Sequence, residues 1–327
     1  MLNIFYNPVY IKQKKVLLTR NFKHSIFLNY LINFNYVFNI PLSEKYIVSG
    51  PHKRMNNLVK TFKKDPNVSF NSIKYNNSYV VQYDEFGKSS VDKIINSDNP
   101  NKRILIGPLY SIEQDMKINK LTKKYPYIKK LVATKMALKN AEELDPNFIA
   151  ESTIVLPSGV ISEINLNKNI NTKSRNNKCL IYFKKRPIEE LNEVVSFLKS
   201  QNQEYEIFQY GEYDNNKLKE AAKENSFAII ISGTETQGFA IQELMAENIP
   251  LLVWDKTINN FENYQLSGTS VPIWDERCGV VIYNLNEFKN IFNSFVDNLS
   301  SYQPINLVLE KLTFEKYRKD LKKSFNW

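Results

Sequence analysis

"ISGTETQGFAIQELMAENIPLLVWD", residues 231–255, reads as a buried strand ending, a glycine-punctuated loop, an apolar helix and a second buried strand. The preceding "FAIIISG" is a continuous apolar run, as expected of a strand covered on both faces. Gly238 opens a helix with Ile241, Leu244 and Met245 on its core face, and "PLLVWD" is the next strand. Strand, helix and strand in this order make a parallel crossover unit. Glu235 falls in the strand-to-helix loop, at the carboxyl edge where open α/β sheets bind ligands. Glu243, eight positions on, falls in the first turns of the helix.

Two chemistries fit this pair. Free N–H groups at a helix start favour an anion such as a diphosphate, and a nearby carboxylate can accept hydrogen bonds from the vicinal hydroxyls of a ribose. The plainer alternative is two solvent-facing acids near a helix dipole, with Thr234 and Gln237 forming a capping box.

Working outward, the same alternation recurs. "KCLIYFKKR", "YEIFQYG" and "FAIIISG" are strand candidates separated by the helical patterns "IEELNEVVSFLKSQ" and "NNKLKEAAKEN". An earlier series has strands at "EKYIVSG", "NVSFNS", "SYVVQYD", "KRILIGPLY" and "IKKLVATK", with helices at "RMNNLVKTFKKDP", "SVDKIINS" and "KMALKNAEEL". Pro157, Ser158 and Gly159 mark a turn between the two series. The expected fold is α/β, with two doubly wound Rossmann-like domains facing each other across a cleft. The expected boundaries are 1–157, 158–312 and a basic amphipathic helix over 313–327 packing back on the first domain. Residues 1–44 show no clear period and stand as an extension or first element.

The 327 residues exceed what one core usually supports. A net charge of +10 admits nucleic acid, a membrane surface or a phosphate-bearing substrate, but the Lys and Arg residues form no dense block. A coding sequence biased to A and T gives the same excess. Cys179 and Cys278 make no disulfide framework, which fits a reducing cytoplasm, and two histidines are too few for a structural zinc site. No signal peptide is expected at the N-terminus. Residues 26–40 are the most apolar segment, read as a core element or as membrane-surface contact. Nine glycines assemble no dinucleotide, P-loop or nucleophile-elbow motif. No two aspartates stand two positions apart, so a D-x-D metal site is absent; neither a metal nor a cofactor is expected.

"GTETQGFAIQELMAENIPLLVWD" resembles the E-x7-E signature of GT-B-fold glycosyltransferases, with Glu235, Gly238, Glu243, Ala246 and Pro250 matching in order. "TIVLPSGV" is similar to the linker between the halves of that fold, with Ser158 where asparagine is common. "LIYFKKRP" is similar to the strand whose end supplies cations, though its usual glycine is missing, and "IVSGPHKR" resembles the first strand and glycine loop. The resemblance implies a nucleotide-diphosphate-sugar donor and a glycan or other hydroxyl acceptor, retention of configuration, no metal and no specific nucleic acid. It implies that Glu243 holds the ribose, that Glu235 contacts the donor sugar, and that Lys185 and Arg186, with Lys184, neutralise the diphosphate. Gln237, Gly238 and Phe239 would line the donor site, and Gly211 and Glu212 would lie near the base. Gly50 and His52 would bring the first loop to the phosphates, His52 being equally readable as structural. A histidine common later in the first half of the family has no counterpart here. A sugar-nucleotide epimerase on this fold, or a non-catalytic basic protein binding nucleic acid or a membrane surface, are the competing readings.

Overall fold

A computed structural model describes residues 2–6, 50–72, 76–81, 85–108, 112–145, 148–163, 175–261 and 263–326. The chain divides into two compact units. One comprises Met1–Ser43, Pro51–Ser158 and Glu315–Trp327; the other comprises Glu44–Gly50 and Gly159–Phe314.

The first unit has a six-stranded parallel sheet. Its strands are β1 (Leu2–Phe5), β2 (Val68–Phe70), β3 (Asn77–Val80), β4 (Arg103–Ile106), β5 (Ile128–Val132) and β6 (Thr153–Val155), in the order β2-β1-β3-β4-β5-β6. The helices are α1 (Gly50–Phe62), α2 (Glu85–Ile95), α3 (Ile112–Lys124) and α4 (Lys135–Leu144). Strand side chains alternate between two cores, as a period of two requires. Ile4, Tyr79, Leu105 and Leu131 pack with Met55, Leu58 and Phe62 of α1, whereas Phe5, Val80, Ile104 and Ile128 pack with Val91, Ile94 and Ile118.

In the second unit the strands are β7 (Asn176–Lys184), β8 (Tyr205–Gln209), β9 (Asn225–Ser232), β10 (Leu251–Trp254) and, after a hairpin of β11 (Ile258–Phe261) and β12 (Tyr264–Ser267), β13 (Gly279–Ile282). The five-stranded parallel sheet runs β13-β10-β9-β7-β8. Helices α5 (Ile188–Ser200), α6 (Asn215–Glu224), α7 (Phe239–Ala246), α8 (Leu285–Asp297) and α9 (Pro304–Lys311) complete it. Leu180, Tyr182, Ala228, Ile230, Leu251 and Val253 pack with α6, α7 and α9 residues on one face. Cys179, Ile181, Phe183, Phe227, Ile229 and Ile231 pack with α5 and α8 residues on the other. Both sheets are therefore doubly wound, and the apolar strand runs of the sequence follow from burial on two faces.

The last helix, α10 (Phe314–Lys323), places Tyr317 and Leu321 in the core of the first unit, where Phe325 joins them. Arg318 donates to the Thr61 carbonyl from Nε and Nη2 at 3.0 and 2.6 Å, and Lys322 pairs with Asp65. Leu2–Phe5 is a full sheet strand, where the sequence showed no period. "IVSGPHKR" does not hold a glycine loop at Gly50, because Gly50, Pro51 and His52 form the first turn of α1. Proline fits there, since its ring angle is helical and the first turn lacks an N–H acceptor anyway. Residues 26–40 and the expected strand at 44–49 lie outside the described residues. No helix among the described residues is long and apolar enough to cross a membrane.

Candidate functional site

In the second sheet the strand order reverses at β7. The chain runs from β7 outward to β8, then crosses back to β9 on its other side. The loops after β7 and β9 therefore leave the sheet in opposite directions, opening a crevice at their carboxyl ends. Lys184 is the last residue of β7, and Glu235 lies three residues past the end of β9. The Lys184 ammonium stands 2.5 Å from Glu235 Oε1. Both side chains keep partial access to solvent, at 14% and 12%. The same ammonium sits 4.4 Å from the ring centroid of Tyr210, just past β8, a cation–π contact.

The three consecutive cations separate. Lys185 has a φ of 52°, a left-handed turn that carries the chain off the strand, and its side chain is exposed. Gly233 accommodates this turn, because a Cβ there would lie 3.1 Å from the Lys185 carbonyl oxygen. Arg186 turns back under the sheet edge with a side chain only 1% exposed. Its Nη1 donates to the carbonyls of Ser232 and Trp254 at 3.2 and 2.9 Å, and its Nε binds Glu190. The guanidinium thus ties the ends of β9 and β10 to α5.

Helix α7 has Gly238 as its N-cap, at φ 80°, and no side chain caps it. The Thr234–Gln237 capping box is absent; Gln237 and Gln242 instead bond to each other, Nε2 of Gln237 donating to Oε1 of Gln242 at 3.1 Å. The N–H groups of the first turn consequently carry no side-chain cap, while Phe239 packs partly buried on the core below. Glu243, one turn in, is buried, and its Oε1 lies 2.9 Å from the Lys219 ammonium of α6. One turn further, Glu247 and Lys223 stand 3.9 Å apart. Burial raises the Glu247 carboxyl above its ordinary range, with Lys223 and Lys219 opposing that rise. Two rungs thus join α6 to α7, and Glu243 is the rung nearer the crevice.

Gly211, at φ 88°, is exposed past β8, with open space where a Cβ would point; Glu212 beside it is exposed and accepts from Gln209. Cys179 and Cys278 are free and buried, and burial pushes each thiol up to about 12, so neither is a thiolate nucleophile at neutral pH. Among the described residues no cluster of metal-ligating side chains occurs.

The structure therefore brings Lys184, Glu235, the start of α7 and Glu243 to the carboxyl side of one sheet. Gly50 and His52 stand in the first turn of α1, and a Cβ on Gly50, which belongs to the second unit, would lie 3.9 Å from Phe239 Cδ2. Sequence reasoning passed over Lys219 and Tyr210. Lys219 had a legible signal: Lys219 and Lys223 are spaced i,i+4 on one helix, matching Glu243 and Glu247 on the next.

No family model matches the chain. No curated protein matches it in sequence. Among solved structures it is similar to the pneumococcal O-GlcNAc transferase GtfA in complex with UDP and GlcNAc, at 11% identity and a TM-score of 0.48, over 76% of this chain and 56% of that one. It is similar to sucrose-phosphate synthase from Thermosynechococcus elongatus at 10% identity and 0.46, over 77% and 73%. It is also similar to WaaG, a glycosyltransferase involved in lipopolysaccharide biosynthesis, at 11% and 0.41, over 86% and 94%. The chain spans 56% of the length of the first of these.

Proposed function

We propose that the chain is a glycosyltransferase that moves a sugar from a nucleotide diphosphate sugar to a hydroxyl acceptor. The observation that carries the reading is the meeting of Lys184 and Glu235 at the reversal of strand order, beside a helix start without a side-chain cap. A diphosphate settling at the α7 N-terminus would draw Lys184 away from Glu235. The ammonium, with Lys185 and the first N–H groups of α7, would then oppose the charge that grows on the leaving diphosphate as the glycosidic bond breaks. Glu235, relieved of its partner, would accept hydrogen bonds from donor-sugar hydroxyls. Glu243 would accept from the ribose, exchanging or sharing Lys219. The similarity of residues 233–255 to the E-x7-E signature supports this division of roles and, with it, retention of configuration. In this reading the positive charge comes from the protein, so no metal takes part.

The test is isothermal titration of UDP-, GDP-, ADP- and TDP-sugars into the wild type, Lys184→Met and Glu235→Gln. One donor binding to the wild type and weakened by both substitutions is expected. Equal affinity of every donor for all three proteins would overturn the assignment.

A further inference from the structure

We infer that Asp255 is a positioning residue for Glu235, an inference that rests on the role proposed for Glu235 above. Asp255 follows β10 and is buried. Its Oδ1 accepts from the backbone N–H of Lys256 at 2.8 Å, and from the N–H and hydroxyl of Ser270 at 2.6 and 2.7 Å. Its Oδ2 accepts from the Thr269 hydroxyl at 2.6 Å. One carboxylate thus takes four hydrogen bonds, three of them from the turn that follows the β11–β12 hairpin.

That turn holds the loop bearing the acid. The Thr269 carbonyl accepts the N–H of Glu235 at 2.9 Å, and the Ser270 carbonyl lies 3.5 Å from where a Cβ on Gly238 would stand. The Glu235 end of the 235–238 loop is therefore hydrogen-bonded to a residue that Asp255 fixes, and the Gly238 end lies beside another. The hairpin's own base is closed separately, by the Gly268 N–H donating to the Thr257 carbonyl at 2.8 Å. Hairpin closure alone does not need the carboxylate. A carboxylate accepts at both oxygens, whereas in an asparagine the one oxygen serves the three Oδ1 donors and the NH2 faces the Thr269 hydroxyl, reversing that bond. Residue 255 thus acts on the site through Thr269 and Ser270, without lying in it.

The test uses the full chain and the variants Asp255→Asn, Thr269→Val, Glu235→Gln and Asp255→Asn with Glu235→Gln. Thr269→Val loses the Oδ2 contact together with the hydroxyl's acceptance of the Val271 N–H at 3.0 Å, and serves where Asp255→Asn fails to fold. Hydrogen exchange should show about a tenfold loss of protection at the Glu235 amide in Asp255→Asn and a smaller loss in Thr269→Val, with β7 and β9 unchanged. Unchanged protection at Glu235 in a folded variant overturns the inference. Titration of UDP-glucose, UDP-N-acetylglucosamine, GDP-mannose and ADP-glucose supplies a second readout. If Asp255 acts through Glu235, the double variant binds no more than about twofold weaker than Glu235→Gln alone. Full additivity overturns the inference. If Glu235→Gln leaves every probe's binding unchanged, the functional reading of Glu235 fails, and the exchange experiment alone decides whether Asp255 holds the loop.

Discussion

Lys184 and Glu235 are 51 positions apart in the sequence and 2.5 Å apart in space. The crossover from β7 through β8 to β9 is what closes that gap, because it returns the chain to the strand next to the one it left. In the function proposed above, the donor's diphosphate and sugar hydroxyls would take over the two partners of this pair, which would link stability and binding at one contact.

Lys184→Met should lower stability by roughly 1–3 kcal/mol, since it leaves a largely buried carboxylate with only the Ser232 hydroxyl, at 3.3 Å, in place of its ammonium. Adding Glu235→Gln should recover part of that loss. Urea denaturation of the single and double variants measures both; an additive double variant would mean the two side chains do not share an interaction.

Glu243→Gln should weaken donor binding by roughly ten- to a hundredfold, the usual scale for losing a hydrogen bond to a charged group. Calorimetry with the donor that binds the wild type gives the number. Undiminished affinity would reduce Glu243 to a rung between α6 and α7.

Arg186→Met should destabilise the second unit by roughly 2–4 kcal/mol, because two strand-end carbonyls and Glu190 lose their donor in a buried place. Arg186→Lys should not restore it, as a single ammonium cannot reproduce the planar fork. Thermal melts without any ligand are sufficient to see this.

Gly279→Ala should be among the most damaging single changes in the chain. At φ 136°, residue 279 sits where side chains rarely fit, and a Cβ would stand 1.9 Å from the Leu251 carbonyl oxygen of the neighbouring strand. A loss of at least about 3 kcal/mol in chemical denaturation is expected.

Glu247→Gln bears on pH. Burial raises the folded-state value of this carboxyl, so the folded protein holds the proton more tightly than the unfolded chain. The contribution of Glu247 is fully present below its ordinary range and is lost as pH rises through the raised value. Wild-type stability relative to Glu247→Gln should therefore fall from acidic toward neutral pH. A difference that rises over that window would mean that folding lowers the Glu247 value.

Much of the fold was legible in the sequence because doubly wound strands announce themselves: "KCLIYFKK", "FAIIIS" and "PLLVW" are apolar runs too dense for a half-exposed sheet. Leu2–Phe5 was not legible, since four residues carry too little period and the strand is defined by partners at Val68–Phe70 and Asn77–Val80. Helix α3 was missed for a related reason: its apolar positions are sparse, and among the described side chains Ile118 enters the core cluster with Leu121 packed partly buried against it.

The sequence alone determined that Glu235, Gly238 and Glu243 would cluster around one strand-to-helix connection, because neighbours in a crossover unit cannot separate. It could not decide which of Lys184, Lys185 and Arg186 faces that connection. Only the tertiary structure did: a left-handed turn at Lys185 sends the third cation under the sheet edge, and the return of the chain to β9 sets the first against Glu235. The pairing of Lys219 with Glu243 and the hold of Asp255 on residues 269 and 270 arise the same way. Each joins segments that meet only when the whole sheet has formed, since a hydrogen bond depends on distance in space and a pattern records only distance along the chain.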